Sequence, residues 1–267
     1  MRKTNTNHTN GSTNTRTISI VGSGNVATHL ALAFHKSGHT IHQILSRSFD
    51  HARLLAMHVD AQPIDSWRLL DEDADVYILA VTDNSIYDLA VDLHLPASLV
   101  IHTSGTTPAT VLRNISRKNG VVWSPQTFVR DIAMDYIHLP FCIEGSTPQV
   151  EADIAELFSS VSDNIHHLDY EQRCRAHLAA VMVSNFVCAI NAVAQQYMHD
   201  EGLDFDMLRP LAEQTLRKWD YGNLWHQMTG PAIRHDDSTI AAQRRLLADR
   251  PELLSLYDLM TEIIQQH

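Results

Sequence analysis

Cysteine is scarce in this 267-residue chain. Cys142, Cys174 and Cys188 are odd in number and far apart. That excludes a disulfide framework and any Cys-based zinc pattern, and it fits a reducing compartment. Basic charge is also short: 20 Lys and Arg against 31 Asp and Glu leave a formal net charge of −11. A nucleic-acid binder needs a basic face for phosphates, so no nucleic-acid partner is expected, although a local basic pocket for one small anion stays open. The start of the chain has no apolar signal region. Residues 1–16 are polar, rich in Asn and Thr, and read as a disordered tail, so a cytoplasmic protein is expected. The longest uncharged stretch, residues 178–198, carries Ser184, Asn185, Asn191, Gln195 and Gln196. It is too polar for an isolated membrane span, and no membrane association is expected. Seventeen histidines include no His-Glu-x-x-His or comparable ligand spacing, so no metal site is expected.

What is present is enough apolar sequence for a core, 44% hydrophobic against 19% charged. Up to residue 168 short β-rich runs alternate with helical periods. Residues 17–21 read as a strand, and in residues 25–36 Val26, Leu30, Ala33 and Phe34 share one helical face. Residues 41–45, 75–81 and 98–102 read as further strands. The second of these is nearly continuously apolar, as in a parallel sheet buried on both faces. This alternation predicts a doubly wound α/β domain over residues 17–168. From residue 169 only helical periods remain, predicting an all-helical domain over 169–267. Its first helix is apolar almost all round between Leu178 and Ala194. Such a helix must be covered, by neighbouring helices or by a second copy in a homodimer, which is the expected state.

Gly22-Ser23-Gly24-Asn25-Val26-Ala27 matches G-x-G-x-x-G/A between a strand and a helix. Gly22 permits the tight turn. Gly24, lacking a Cβ, lets a pyrophosphate approach the backbone, and Ala27 lets helix and strand pack closely. The helix N-terminus then offers free N–H groups and a positive dipole end. NAD binders carry a carboxylate at the end of the second strand for the ribose 2′-OH. Here that stretch is Ser46-Arg47-Ser48, a guanidinium between two hydroxyls, which suits a 2′-phosphate and predicts NADP as the cofactor.

These residues resemble a bacterial group of Rossmann-like NADP oxidoreductases whose C-terminal domain is of unknown function. His102-Thr103-Ser104-Gly105-Thr106 and Pro125-Gln126-Thr127-Phe128 belong to the same pattern, as do His177 to Val181 with Asn185-Phe186, Thr215 with Lys218, and Thr229-Gly230-Pro231-Ala232 with Arg234 and Asp236. The architecture is similar to that of pyrroline-5-carboxylate reductases and, more distantly, 3-hydroxyacid and 6-phosphogluconate dehydrogenases. The resemblance implies an NADPH-binding domain, a helical dimerising domain and a substrate cleft. The hydroxyacid dehydrogenases carry a Lys and, four residues later, an Asn on the first interdomain helix; this chain has His177 and Asn185 there and no lysine.

In open α/β sheets ligands bind beyond the carboxyl ends of the strands. Val81, Thr82 and Asp83 should line the cofactor's path, with His102, Ser104 and Gly105 near its nicotinamide. The alternative is local turn and cap chemistry at Asp83, Asn84 and Ser104. Reduction of a C=O or C=N needs a donor for the developing charge. The candidates are His177, with Asn185 eight residues on and about 80° round an ideal helix, and Lys218, which shares a face with Gln214. Arg234 either holds an anionic substrate or pairs with Asp236. The expected function is NADP-dependent oxidoreduction of a small carbonyl or imine. The alternatives are an NADP-binding sensor or scaffold without turnover and an interaction protein with an empty nucleotide fold. A deazaflavin in place of NADP is left open.

Overall fold

The structure, a computed structural model, describes residues 14–267. Most of the expected tail, residues 1–13, therefore lies outside the described residues. By packing, the chain divides into two units, one up to Val187 and one from Cys188 to His267.

The first unit is built on a sheet of eight strands: β1 Thr17–Val21, β2 Thr40–Leu45, β3 Gln62–Ile64, β4 Val76–Leu79, β5 Leu99–His102, β6 Asn119–Trp123, β7 Phe141–Gly145 and β8 Ile165–His167. Their order is β3-β2-β1-β4-β5-β6-β7-β8. All neighbours run parallel except β6 and β7. The strand order reverses between β1 and β4, where a doubly wound sheet opens its crevice. The apolar β4 run is explained by its two faces: Val76 and Ile78 join one core layer, Tyr77 and Leu79 the other. β5 divides in the same way, with Leu99 and Ile101 on one side and Val100 on the other.

Helix α1, Asn25–Lys36, buries Ala27, Leu30, Ala31, Ala33 and Phe34. It ends at Ser37, followed by Gly38 at φ +89°, the left-handed stop that favours glycine. α2 (Phe49–Met57) and α3 (Asp83–Asp92) follow β2 and β4, and α4 (Pro148–Ser159) follows β7. α5, Tyr170–Val181, starts with a reciprocal cap between Asp169 and Gln172. It runs through a wide π turn, Met182–Phe186, into α6, Val187–Asp200.

The second unit holds α6, α7 (Arg209–Arg217), α8 (Asp237–Leu246) and α9 (Pro251–Gln265), with no strand among the described residues. Asp236 caps α8, its carboxylate accepting from the Thr239 amide at 3.1 Å and the Thr239 hydroxyl at 2.7 Å. Those bonds, with one from Ser238, hold its carboxyl below the usual range. By length and composition the continuous helix Tyr170–Asp200 would pass as a membrane span, with a mean hydropathy of 1.7 in its most apolar stretch. The same helix carries Ser184, Asn185, Asn191, Gln195 and Gln196.

Candidate active site

A cleft of about 760 Å³ lies in the first unit at the β1–β4 crossover, and the Gly22 turn lines it. The backbone at Gly22 has φ +126°, and a Cβ there would overlap the carbonyl oxygen of Ala80. Only glycine lets the turn pass this close to the end of β4. A Cβ on Gly24 would meet no atom within 4 Å. Gly24 is the N-cap of α1, no side chain caps the helix, and no acidic residue stands in its first turn. Bare amides and a positive dipole end thus face the cleft, the donor set a diphosphate requires.

At the end of β2, Ser46, Arg47 and Ser48 line the same cleft. The Ser23 hydroxyl donates to Ser46 Oγ at 2.7 Å, joining the two turns. Ser48 caps α2 by accepting from the His51 amide at 3.4 Å. Arg47 is exposed and makes no hydrogen bond or ion pair among the described residues, so its guanidinium is available to an anion. Ten of the residues expected to hold the cofactor line this cleft: Gly22, Ser23, Gly24, Asn25, Val26, Ser46, Arg47, Ser48, Val81 and Thr82.

Asp83, His102, Ser104 and Gly105 do not line it. The Asp83 carboxylate accepts from the Thr106 hydroxyl at 3.0 Å and so ties the loop after β4 to the loop after β5. Ser104 Oγ accepts from the Thr106 and Thr107 amides at 3.1 and 2.9 Å, which is turn chemistry. The His102 side chain is fully buried, its Nδ1 accepting from the Ser104 amide at 3.2 Å. Burial first, and Arg173 second, push its pKa down to about 4. A ring so enclosed supports the loop from within.

Gly105 has a different role. A Cβ there would overlap the His177 imidazole and stand 3.1 Å from Trp123 Nε1. The Trp123 and His177 rings pack at 5.5 Å, tilted by 54°. The structure therefore seats His177 directly on the loop after β5. It is held there by Arg173, one turn earlier on α5. That guanidinium is buried, donating to the Thr107 carbonyl at 3.1 and 3.2 Å and to Glu144 on β7 at 2.8 Å. Burial pushes the Glu144 carboxyl up, while the neighbouring Arg173 pulls it down. His177 is half-buried and makes no hydrogen bond among the described residues.

Asn185 is exposed within the π turn. That turn breaks the regular step of the helix, so the shared face expected for His177 and Asn185 does not follow from their spacing. Lys218 lies in the second unit, where its Nζ donates to the Gln227 carbonyl at 3.1 Å. His42, Asp71 and Asp73 stand close enough to share a cation, but His42 Nε2 is already engaged by both Asp71 oxygens at 2.8 and 2.9 Å. Sequence reasoning missed Trp67, His51 and Asp65 in the cleft, and Trp123 and Arg173 beside His177. Trp123 could have been found: it stands two residues before the Pro125-Gln126-Thr127-Phe128 run.

Residues 17–105 match the family described as coenzyme F420-dependent NADP oxidoreductase, and residues 139–264 match a domain of unknown function, DUF2520. A Bacteroides fragilis protein assigned as an NADP oxidoreductase is 32% identical, covering 95% of this chain and 99% of its own, with a TM-score of 0.86. A reductive aminase from Aspergillus terreus, solved with NADPH and ethyl-5-oxohexanoate, is 15% identical over 94% of this chain and 93% of its own, at 0.67. A pyrroline-5-carboxylate reductase from Coxiella burnetii is also 15% identical, over 94% and 99%, at 0.57. These last two share the fold. A search of curated proteins returned no match.

Proposed function

The chain belongs to the NADP oxidoreductase family, and from that premise we propose that it uses NADPH to reduce a small carbonyl or imine compound. One observation carries the reading: an uncapped helix N-terminus and an unpaired guanidinium, Arg47, converge on one cleft. The amides of the Gly22 turn hold the diphosphate, and Arg47 with Ser46 and Ser48 holds the 2′-phosphate. When bound, the nicotinamide supplies the hydride. The chain supplies the rest. Val81 and Thr82 flank the path of the cofactor. His177, lodged on Gly105, presents an imidazole that can hold and pass the proton the reduced atom needs. Asn185 is assigned to the substrate side.

The exposed apolar side chains of the Tyr170–Asp200 helix, among them Met182, Phe186 and Ile190, support a homodimer built on the helical segments. Three free cysteines support a cytoplasmic location.

The test is a fluorescence titration with NADPH, followed by NADPH oxidation across imines, 2-oxo acids, 3-oxo acids and a deazaflavin. Saturable NADPH binding with turnover of one of the imines or oxo acids is the expected result. Binding without turnover on any of them returns the protein to the sensor or scaffold class, a reading the missing lysine of the first interdomain helix favours.

A further inference from the structure

The loop between β6 and β7, residues 124–140, lies outside the glycine motif, yet it is fastened to it. His29 on α1 is buried and uses both ring nitrogens on this loop. Its Nε2–H donates to the Val129 carbonyl at 2.8 Å, and its Nδ1 accepts from the Tyr136 hydroxyl at 2.9 Å. Burial raises the Tyr136 phenol, so it keeps the proton it donates. Phe128 packs on the same imidazole, with ring centroids 5.3 Å apart.

The loop held in this way delivers Arg130 to the glycine turn. Its Nη2 donates to the Ser23 carbonyl oxygen at 2.7 Å. Ser23 lines the cleft beside the first turn of α1. Arg47 is the only Lys or Arg among the cleft-lining residues, and it stands at the β2 end; Asp65 and Asp88 also line the cleft and add negative charge. In a chain of net charge −11, the diphosphate end would otherwise rely on backbone dipoles alone. Arg130 has further N–H groups with no partner among the described residues. A guanidinium this close attracts a diphosphate whether or not it touches it.

We propose that Arg130 is a cofactor-binding residue that neutralises the diphosphate from outside the glycine motif. This rests on the NADPH reading above. It predicts a pattern distinct from that of Arg47, because the diphosphate is common to NADPH and NADH while the 2′-phosphate is not.

The experiment is fluorescence titration of both nucleotides into wild type, Arg130→Ala, Arg130→Gln and Arg47→Ala. Arg130→Ala is expected to weaken NADPH and NADH by the same factor, about tenfold. Arg47→Ala is expected to weaken NADPH alone. Arg130→Gln keeps a donor for the Ser23 carbonyl but loses the charge. It should bind as weakly as Arg130→Ala, and its affinity should fall less steeply with added salt than that of wild type. Wild-type affinity in Arg130→Ala, or full recovery in Arg130→Gln, overturns the proposal and leaves the nucleotide reading standing. If wild type binds neither nucleotide, the reading itself fails and the role of Arg130 fails with it.

Discussion

The two units bury their apolar residues to very different extents. Up to Val187 the sheet carries apolar layers on both faces, and Ile18, Ile20, Ile78 and Ile101 are wholly enclosed. From Cys188 onward Leu247 is the only described hydrophobic residue that is buried, while Leu203, Met207, Leu211, Trp219 and Leu246 stand exposed. Both halves follow the same rule, that an apolar stripe must be covered. The first unit satisfies it within one chain around the sheet, though not along its last helical stretch, where Leu178, Met182 and Phe186 stand exposed. The second has the stripes without the cover, and so its stability should depend on another surface, which we assign to a second copy. If so, damage to the first unit acts within one chain, while damage to the second acts through association.

The largest effect should come from Gly22→Ala. It forces a side chain onto a backbone at φ +126° and into the Ala80 carbonyl. We expect a loss of about 3 kcal/mol of stability in the first unit and a fall in NADPH affinity of about 100-fold. Urea unfolding and nucleotide titration measure the two. A variant that binds normally would mean that the turn does not hold the cofactor.

His102 gives an effect of similar size that depends on pH. Its folded pKa is about 4, below the ordinary value of 6.5, so as pH falls the unfolded chain takes up the proton first. The stability tied to neutral His102 is complete above pH 6.5 and is lost progressively down to pH 4, about 3 kcal/mol in all. Urea midpoints at pH 7 and pH 4.5 should differ less in His102→Asn than in wild type. Equal slopes would place the acid sensitivity elsewhere.

The contrast between the units also governs what was legible in the sequence. A nearly continuous apolar run located β4, because a strand buried on both faces must be apolar throughout. Gly22 has a local steric reason, and Arg47 stands where a carboxylate otherwise would. The antiparallel reversal between β6 and β7 left no trace, since strand direction is a property of pairing and not of composition. Nor did the clasp around Arg173, whose partners Thr107 and Glu144 are brought together only by the tertiary fold. The π turn at Met182–Phe186 was equally hidden, and it alters the phase on which the pairing of His177 with Asn185 depended. In the helical half the stripes were readable, but no pattern in the sequence names the surface that covers them.

Ile190→Glu tests that last point. Ile190 is 44% exposed in the single chain, and a charge placed on a solvent-facing site costs at most about 0.5 kcal/mol. On a surface covered by a second copy, the same charge costs about 2 kcal/mol, a weakening of association of roughly 30-fold. Sedimentation velocity across a dilution series distinguishes the two. A wild-type monomer, or a variant that associates as well as wild type, would dissolve the contrast between the units.

The smallest change in stability, and the narrowest test of chemistry, is Gly105→Ala. The added methyl would overlap the His177 imidazole and crowd Trp123 Nε1 at 3.1 Å. A side-chain ring can rotate away where a backbone carbonyl cannot, so we expect a stability loss of about 1 kcal/mol, well short of that at Gly22. The cleft proposed for the nucleotide does not include Gly105, and NADPH affinity should stay within about threefold of wild type. What should fall is turnover, by about tenfold or more, because a displaced imidazole no longer meets the reacting atom. The variant thus separates cofactor binding from proton delivery inside one unit. Loss of both together would mean that the loop after β5 holds the cofactor directly; loss of neither would remove His177 from the chemistry.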